Sequence, residues 1–120
     1  MKQRILLVED DDALRTMTHL FLESEGYEVQ AVENGQLAVQ AFESEQPDII
    51  VSDIAMPEMN GFELLEVIRQ HEAGAVMPFL FVSAFSGNES VSRARRLGVD
   101  DYLFKPFEVK DLRDAIEIRL

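Results

Sequence analysis

Ile49-Ile50-Val51-Ser52-Asp53-Ile54-Ala55-Met56-Pro57 is a short β-branched apolar run that ends in one carboxylate and passes into a proline-containing loop. Such a run, bounded by turn signals, reads as a strand buried on both faces. Asp53 then sits where that strand leaves the sheet. In open parallel sheets ligands bind outside the carboxyl ends of the strands. Asp53 becomes part of a site if other strands bring matching chemistry to the same edge.

Arg4-Ile5-Leu6-Leu7-Val8 has the same buried-strand pattern and ends in an acidic block, Glu9-Asp10-Asp11-Asp12. Asp11 or Asp12 suits the N-cap of a helix reaching about Ser24, with Leu14, Met17, Phe21 and Leu22 on its inward face. Gly26 stops that helix. Tyr27, Val29 and Ala31 alternate with polar residues, as in an exposed edge strand. Asn34-Gly35 opens a second helix with Leu37, Ala38, Ala41 and Phe42 inward, closed by Gln46-Pro47. Phe62, Leu65 and Ile68 or Arg69 mark a third helix to about His71. Phe79-Leu80-Phe81-Val82 is a strand ending in Ser83-Ala84, and Ser86-Gly87-Asn88 is a turn. Val91, Ala94 and Leu97 line a short helix stopped by Gly98. Asp101-Tyr102-Leu103-Phe104 is a strand ending in Lys105-Pro106. A last helix runs from about Glu108 to the terminus, with Val109, Leu112, Ile116 and Leu120 inward and Ile118 exposed.

Five strands alternating with five helices predict an α/β fold: a doubly wound parallel sheet with right-handed crossovers and helices on both faces. For a sheet of this size the expected strand order is the flavodoxin-like 2-1-3-4-5. Its switch point falls between the strands carrying the acidic block and Asp53.

Composition narrows the function. The 120 residues make one domain, and no apolar run is long enough to span a membrane. No secretory leader precedes the first strand, so the expected compartment is the cytoplasm. The absence of cysteine excludes disulfides, zinc–thiolate centres and thiol catalysis. A net charge of −12 argues against direct nucleic-acid binding. The single basic cluster, Arg93, Arg95 and Arg96, is either a solvated helix face or a partner surface.

Glu9 and Asp10, Asp53, Ser83 and Lys105 each end a different strand, so four strands deliver polar groups to one crevice. Singly, each has a bland reading: acids cap helices, a serine makes a turn, and a lysine before proline is solvated. Together they would have to coincide. Glu9, Asp10 and Asp53 are hard oxygen ligands whose mutual repulsion calls for a cation, and Mg²⁺ with its retained waters suits them best. Such an ion could hold a phosphoryl group against Asp53 as nucleophile, with Ser83 and Lys105 each engaging a phosphoryl oxygen. His19, mid-helix, and His71, at a helix end, are poorly placed to act as a base.

Ile-Leu-Leu-Val-Glu9-Asp10-Asp11, Ser52-Asp53-Ile54-Ala55-Met56-Pro57, Val82-Ser83-Ala84 and Lys105-Pro106-Phe107 together resemble the signature set of response-regulator receiver domains of two-component signalling (CheY-like). The resemblance covers the whole chain. It implies one receiver domain over residues 1–120 with no output domain in this chain, either stand-alone or the N-terminal part of a longer regulator. It implies phosphorylation of Asp53 by a sensor histidine kinase or a phosphotransfer protein. It also implies Mg²⁺ ligation by Asp10, Asp53 and the Ala55 carbonyl, with Glu9 acting through water. Ser83 takes the hydroxyl switch position, Lys105 the phosphate-contacting one, and Tyr102 that of the aromatic whose rotamer follows phosphorylation. The Lys105-Pro106 bond is expected to be cis. Such a protein is a phosphoacceptor switch rather than an enzyme acting on a separate substrate, although it assists its own phosphorylation and dephosphorylation. Its changing face is the fourth helix, fifth strand and fifth helix, a candidate surface for dimerisation, a partner or an output domain.

Some positions depart from the commonest family pattern. Ser83 stands where threonine is frequent, Asn60 replaces a frequent aspartate with little expected effect, and Ala55 and Phe85 fill variable positions beside the acceptor. Phe85 is expected to shield an acyl phosphate there. Three rivals fit less well. A dehalogenase-type phosphatase wants a second acid at the Ala55 position. A flavodoxin-like redox binder wants a small-residue phosphate loop where Glu9-Asp10-Asp11 lies. A phosphorylation-independent receiver would lack one of the acids or the lysine.

Overall fold

The computed structural model describes residues 2–85 and 87–120; Ser86, part of the expected turn, lies outside them. The elements run β1 (Arg4–Val8), α1 (Asp12–Ser24), β2 (Glu28–Val32), α2 (Gly35–Ser44), β3 (Ile49–Asp53), α3 (Gly61–Gln70), β4 (Phe79–Ser83), α4 (Asn88–Arg96), β5 (Asp101–Phe104) and α5 (Val109–Arg119). All strand pairs are parallel, in the order β2-β1-β3-β4-β5, as expected for a doubly wound sheet.

The apolar runs make sense because successive side chains alternate between two covered faces. Leu6, Val8, Ile50, Phe79 and Phe81 pack with α2, α3 and α4 residues such as Ala38, Phe42, Leu65 and Ala94. Ile5, Leu7, Ile49, Val51, Leu80 and Val82 pack on the other side with Leu22 of α1 and Leu112, Ala115 and Ile116 of α5. β2, at the sheet edge, keeps the polar alternation that marks a half-covered strand.

Local chemistry sets the helix starts. Asp11, Asn34 and Asn60 each accept a backbone N–H of the following first turn, from Leu14, Leu37 and Glu63 respectively. Asn60 and Glu63 form a reciprocal capping box, because Glu63 also accepts the Asn60 N–H at 3.0 Å. Asn60 is thus the N-cap of α3, a position that asparagine and aspartate fill about equally well. Gly26, at φ +97°, ends α1 in the left-handed region.

Three inward assignments differ. Met17 is 54% exposed and Thr18 is buried in its place, because α1 leans on the sheet along Thr18 and Leu22. Leu37 flanks the Ala38–Ala41–Phe42 stripe rather than joining it. Leu120 follows the last turn of α5, where Ala115 completes the buried stripe instead. Ile118 is exposed, as expected.

α4 is the least embedded helix: it buries only Ala94 and has no side-chain N-cap. The Arg93 guanidinium lies 4.3 Å from the centroid of the Phe62 ring of α3, a cation–π contact that ties α4 to its neighbour. One member of the basic cluster is therefore engaged within the fold. At the amino ends of β4 and β5, Arg69 donates to the carbonyls of Gly74, Met77 and Gly98, and pairs with Asp100. Asp100 in turn accepts the Phe79 N–H at 2.8 Å. These bonds satisfy loop carbonyls that no strand or helix serves.

Gly61 brings the start of α3 against the end of β3. Its N–H donates to the Ile54 carbonyl at 2.8 Å, and a Cβ there would lie 2.4 Å from the Asp53 carbonyl oxygen. Gly61→Ala must push α3 and β3 apart, and it is expected to cost about 1–3 kcal/mol. Urea unfolding of the variant against the parent measures this directly.

Candidate functional site

Register brings the candidate residues together. Val8 of β1 pairs with Ser52 of β3, so the next residues along, Glu9 and Asp53, leave the sheet side by side. Asp53 pairs with Val82 of β4, and Ser83 pairs with Phe104 of β5. Glu9 and Asp53 thus stand level, Ser83 lies one residue further along and Lys105 one further again, so the polar residues share an edge in a staggered line.

Glu9 and Asp53 are buried at this edge, whereas Asp10 is exposed at its mouth. One carboxylate oxygen from each lies within 4.8 Å of the other two. The Lys105 ammonium donates to Glu9 Oε1 at 2.8 Å and to Asp53 Oδ2 at 3.0 Å. The Ile54 N–H holds Asp53 Oδ1 at 2.7 Å, and the Asp11 N–H donates to Glu9 Oε2 at 3.2 Å. The Lys105–Pro106 bond is cis, as the resemblance implies. Ala55 is exposed in the loop just after β3.

Electrostatically, one ammonium faces three carboxylates. Burial pushes Glu9 up to about 7, with the neighbouring Asp53 charge adding to the rise and the Lys105 hydrogen bond opposing it. For Lys105, burial acts to lower its pKa, but the bonds to Glu9 and Asp53 outweigh it and the net shift is upward. A site this rich in hard oxygen ligands and short of positive charge has the chemistry to hold a metal ion.

Ser83 is fully buried, and its Oγ accepts the Phe85 N–H at 3.0 Å. The Tyr102 hydroxyl donates to the Phe85 carbonyl at 2.6 Å. Phe85 is therefore held from both sides, by the two residues expected to switch, while the residue as a whole is 46% exposed. Burial raises the Tyr102 phenol, with a smaller opposing effect from Ser83. Two surface hollows flank the cluster. One, of about 310 Å³, is lined by Asp10, Glu33, Asn34, Pro57 and Glu58. The other, of about 430 Å³, is lined by Leu14, Met17, Ala84, Lys105, Pro106 and Phe107.

His19 pairs with Glu23, and His71 faces Glu43 and the edge of the Phe42 ring, so both are engaged away from the cluster. Sequence reading overlooked Arg15, whose guanidinium reaches the carbonyl of Glu9. Its spacing from Asp12, three residues along a helix, was the available signal.

Residues 5–117 match the family model described as the response regulator receiver domain. The chain is 36% identical over 114 residues to the regulatory protein AtoC of Escherichia coli, covering 95% of this chain and 24% of that protein. It is 33% identical over 120 residues to the DNA-binding response regulator MtrA of Mycobacterium tuberculosis, covering all of this chain and 51% of MtrA. It therefore spans about a quarter of one relative and about half of the other. The structure of the chemotaxis response regulator CheY4 of Vibrio cholerae superposes with a TM-score of 0.94 at 28% identity, with 100% of both chains covered.

The raised Glu9 pKa fixes the sign of a stability change. Between about 4.5, its ordinary value, and about 7, native Glu9 keeps a proton that the unfolded chain has released. Metal-free protein therefore loses stability from this group as pH rises through that window, on the order of 3 kcal/mol in all. Urea unfolding at successive pH values is expected to show a shallower decline in Glu9→Gln than in the parent.

Proposed function

The chain belongs to the response regulator receiver domain family of two-component signalling, and on that premise we propose that it is a phosphoacceptor switch in which Asp53 takes a phosphoryl group from a sensor histidine kinase or a phosphotransfer protein. In this reading residues 1–120 act as one receiver unit in the cytoplasm. The observation that carries it is the placement of Asp53: Oδ1 is fixed by Ile54, Oδ2 meets Lys105, and Glu9 and Asp10 stand alongside.

Oδ2 is the attacking oxygen. A new O–P bond forms as the N–P bond of the donor phosphohistidine breaks, and that electron pair returns to the imidazole nitrogen. Lys105 moves from the carboxylate to a phosphoryl oxygen and offsets its charge. Glu9 (through water), Asp10, Asp53 and the Ala55 carbonyl would hold Mg²⁺. When bound, that ion would supply positive charge to offset the negative charge of the reacting groups. In hydrolysis, water attacks phosphorus, the Asp53 O–P bond breaks to leave the carboxylate, and the water's protons pass to the released phosphate and to solvent.

The Ser83 hydroxyl turns to donate to a phosphoryl oxygen. Since Ser83 and Tyr102 both hold Phe85, this reorientation changes the packing of Tyr102 and with it the α4–β5–α5 face. The phosphoryl group thus favours one of two arrangements by its differential contacts. Phe104 and Ile118, 48% and 77% exposed, lie on β5 and α5 and give that face apolar surface for a second copy, a partner protein or an output domain. The apolar hollow beside Lys105, with Met17 and Phe107 on its walls, gives the phosphodonor protein a surface within reach of the acceptor. With a net charge of −12, the domain itself is not a nucleic-acid binder. Among the described residues no helix is long and apolar enough to cross a membrane.

Incubation with acetyl phosphate and Mg²⁺ is expected to add one phosphoryl mass to the intact protein. The increment is lost without Mg²⁺ or in Asp53→Asn, and its persistence in that variant rules out the assigned acceptor. Once formed, the acyl phosphate should hydrolyse several-fold faster in Phe85→Ala, where a half-exposed ring no longer shields it. Decay of the phosphorylated mass after removal of the donor measures this. Slower decay in the variant would show that Phe85 does not protect the bond.

A further inference from the structure

We infer that Arg15 is a positioning residue for the cation site: its guanidinium straps the acidic turn between β1 and α1, holding Glu9 and Asp10 where a divalent cation needs them. This rests on the reading of the carboxylate cluster as such a site. Nη1 donates to the Glu9 carbonyl at 2.8 Å, and Nη2 pairs with Asp12 Oδ1 at 2.5 Å. The Arg15 N–H also donates to the Asp11 carbonyl at 2.9 Å. One planar group therefore spans the turn from its first residue to its last through two separate nitrogens, a reach that a single ammonium matches less well.

Four consecutive acids repel one another. Glu9 is held by Lys105 and by the Asp11 N–H, and Asp11 by the Leu14 N–H, while Arg15 is the group that reaches from Glu9 to Asp12. Releasing the strap loosens the segment that carries Asp10, an exposed candidate ligand. Two effects of opposite sign compete. A nearby positive charge weakens cation binding, whereas an ordered ligand set strengthens it. The charge of Arg15 is directed at Asp12, whose side chain is 85% exposed, where solvent and salt screen it. The Glu9 carbonyl bond lies at the root of the ligand set, so ordering dominates. Loss of an outer-shell partner of this kind typically weakens metal binding by about 10-fold or more.

Calorimetric titration of Mg²⁺ into metal-free protein tests this without any phosphorylation step. Arg15→Ala is expected to weaken binding by about 10-fold, with Arg15→Lys recovering only part of the loss. Amide exchange at Asp11 in the metal-free protein is expected to quicken in both variants. Unchanged or tighter binding in Arg15→Ala overturns the proposal, as does full recovery by lysine, which would make charge alone sufficient. If the parent binds no Mg²⁺, the cation reading falls. The strap is then judged on exchange, and Asp11 exchange no faster in Arg15→Ala overturns it as well.

Discussion

Crowding of negative charge at the carboxyl end of the sheet is the constraint on which the rest of the structure depends. Glu9 and Asp53 are withdrawn from water beside Asp10, with a single ammonium between them. Charged groups tolerate such burial only where opposite charge and hydrogen bonds compensate. The Ile54 and Asp11 amides provide part of that compensation, and Lys105 provides most of the positive charge. The remaining deficit appears in the upward shift of Glu9. A polar centre of this kind is not optimal for stability, and its cost is consistent with selection for a task.

The fold meets that constraint through register. β1, β3 and β4 are fully or almost fully buried runs, and their pairing sets Glu9 level with Asp53 and Ser83 one residue further along. The strand order places β1 and β3 side by side and puts β5 two positions from β3. Lys105, just beyond β5, must therefore extend across the end of β4 to reach the acids. Its long aliphatic stem makes that reach possible, with only the ammonium meeting the charge.

Much of this was legible in the sequence because period and punctuation agreed. The unbroken apolar runs identified strands covered on both faces, and the alternation of strands and helices fixed the architecture. Glu9, Asp10, Asp53, Ser83 and Lys105 were legible because each directly follows or ends such a run. Periodicity was less informative at the margins of helices. Met17 and Leu37 carry apolar side chains at positions one step round from the packed stripe, where composition does not reveal the tilt of a helix on its sheet. Thr18, buried among apolar residues, gave no apolar signal at all. Contacts made across the sequence, such as Arg93 on Phe62 or Arg69 with three distant carbonyls, depend on tertiary placement that a linear pattern does not encode. The Asn60–Glu63 box is different, because its three-residue spacing directly before an apolar run is a local pattern that the sequence displays.

The Arg69 cluster gives the sheet unequal ends. At the amino ends of β4 and β5, one guanidinium and the Asp100 carboxylate clamp the α3–β4 and α4–β5 connections together. At the opposite ends, Ser83, Phe85 and Tyr102 are joined by single hydrogen bonds that can be exchanged. The amino ends of the two strands are therefore anchored through several shared partners. The contacts that can be exchanged gather at their carboxyl ends, beside the carboxylate cluster and the start of α4.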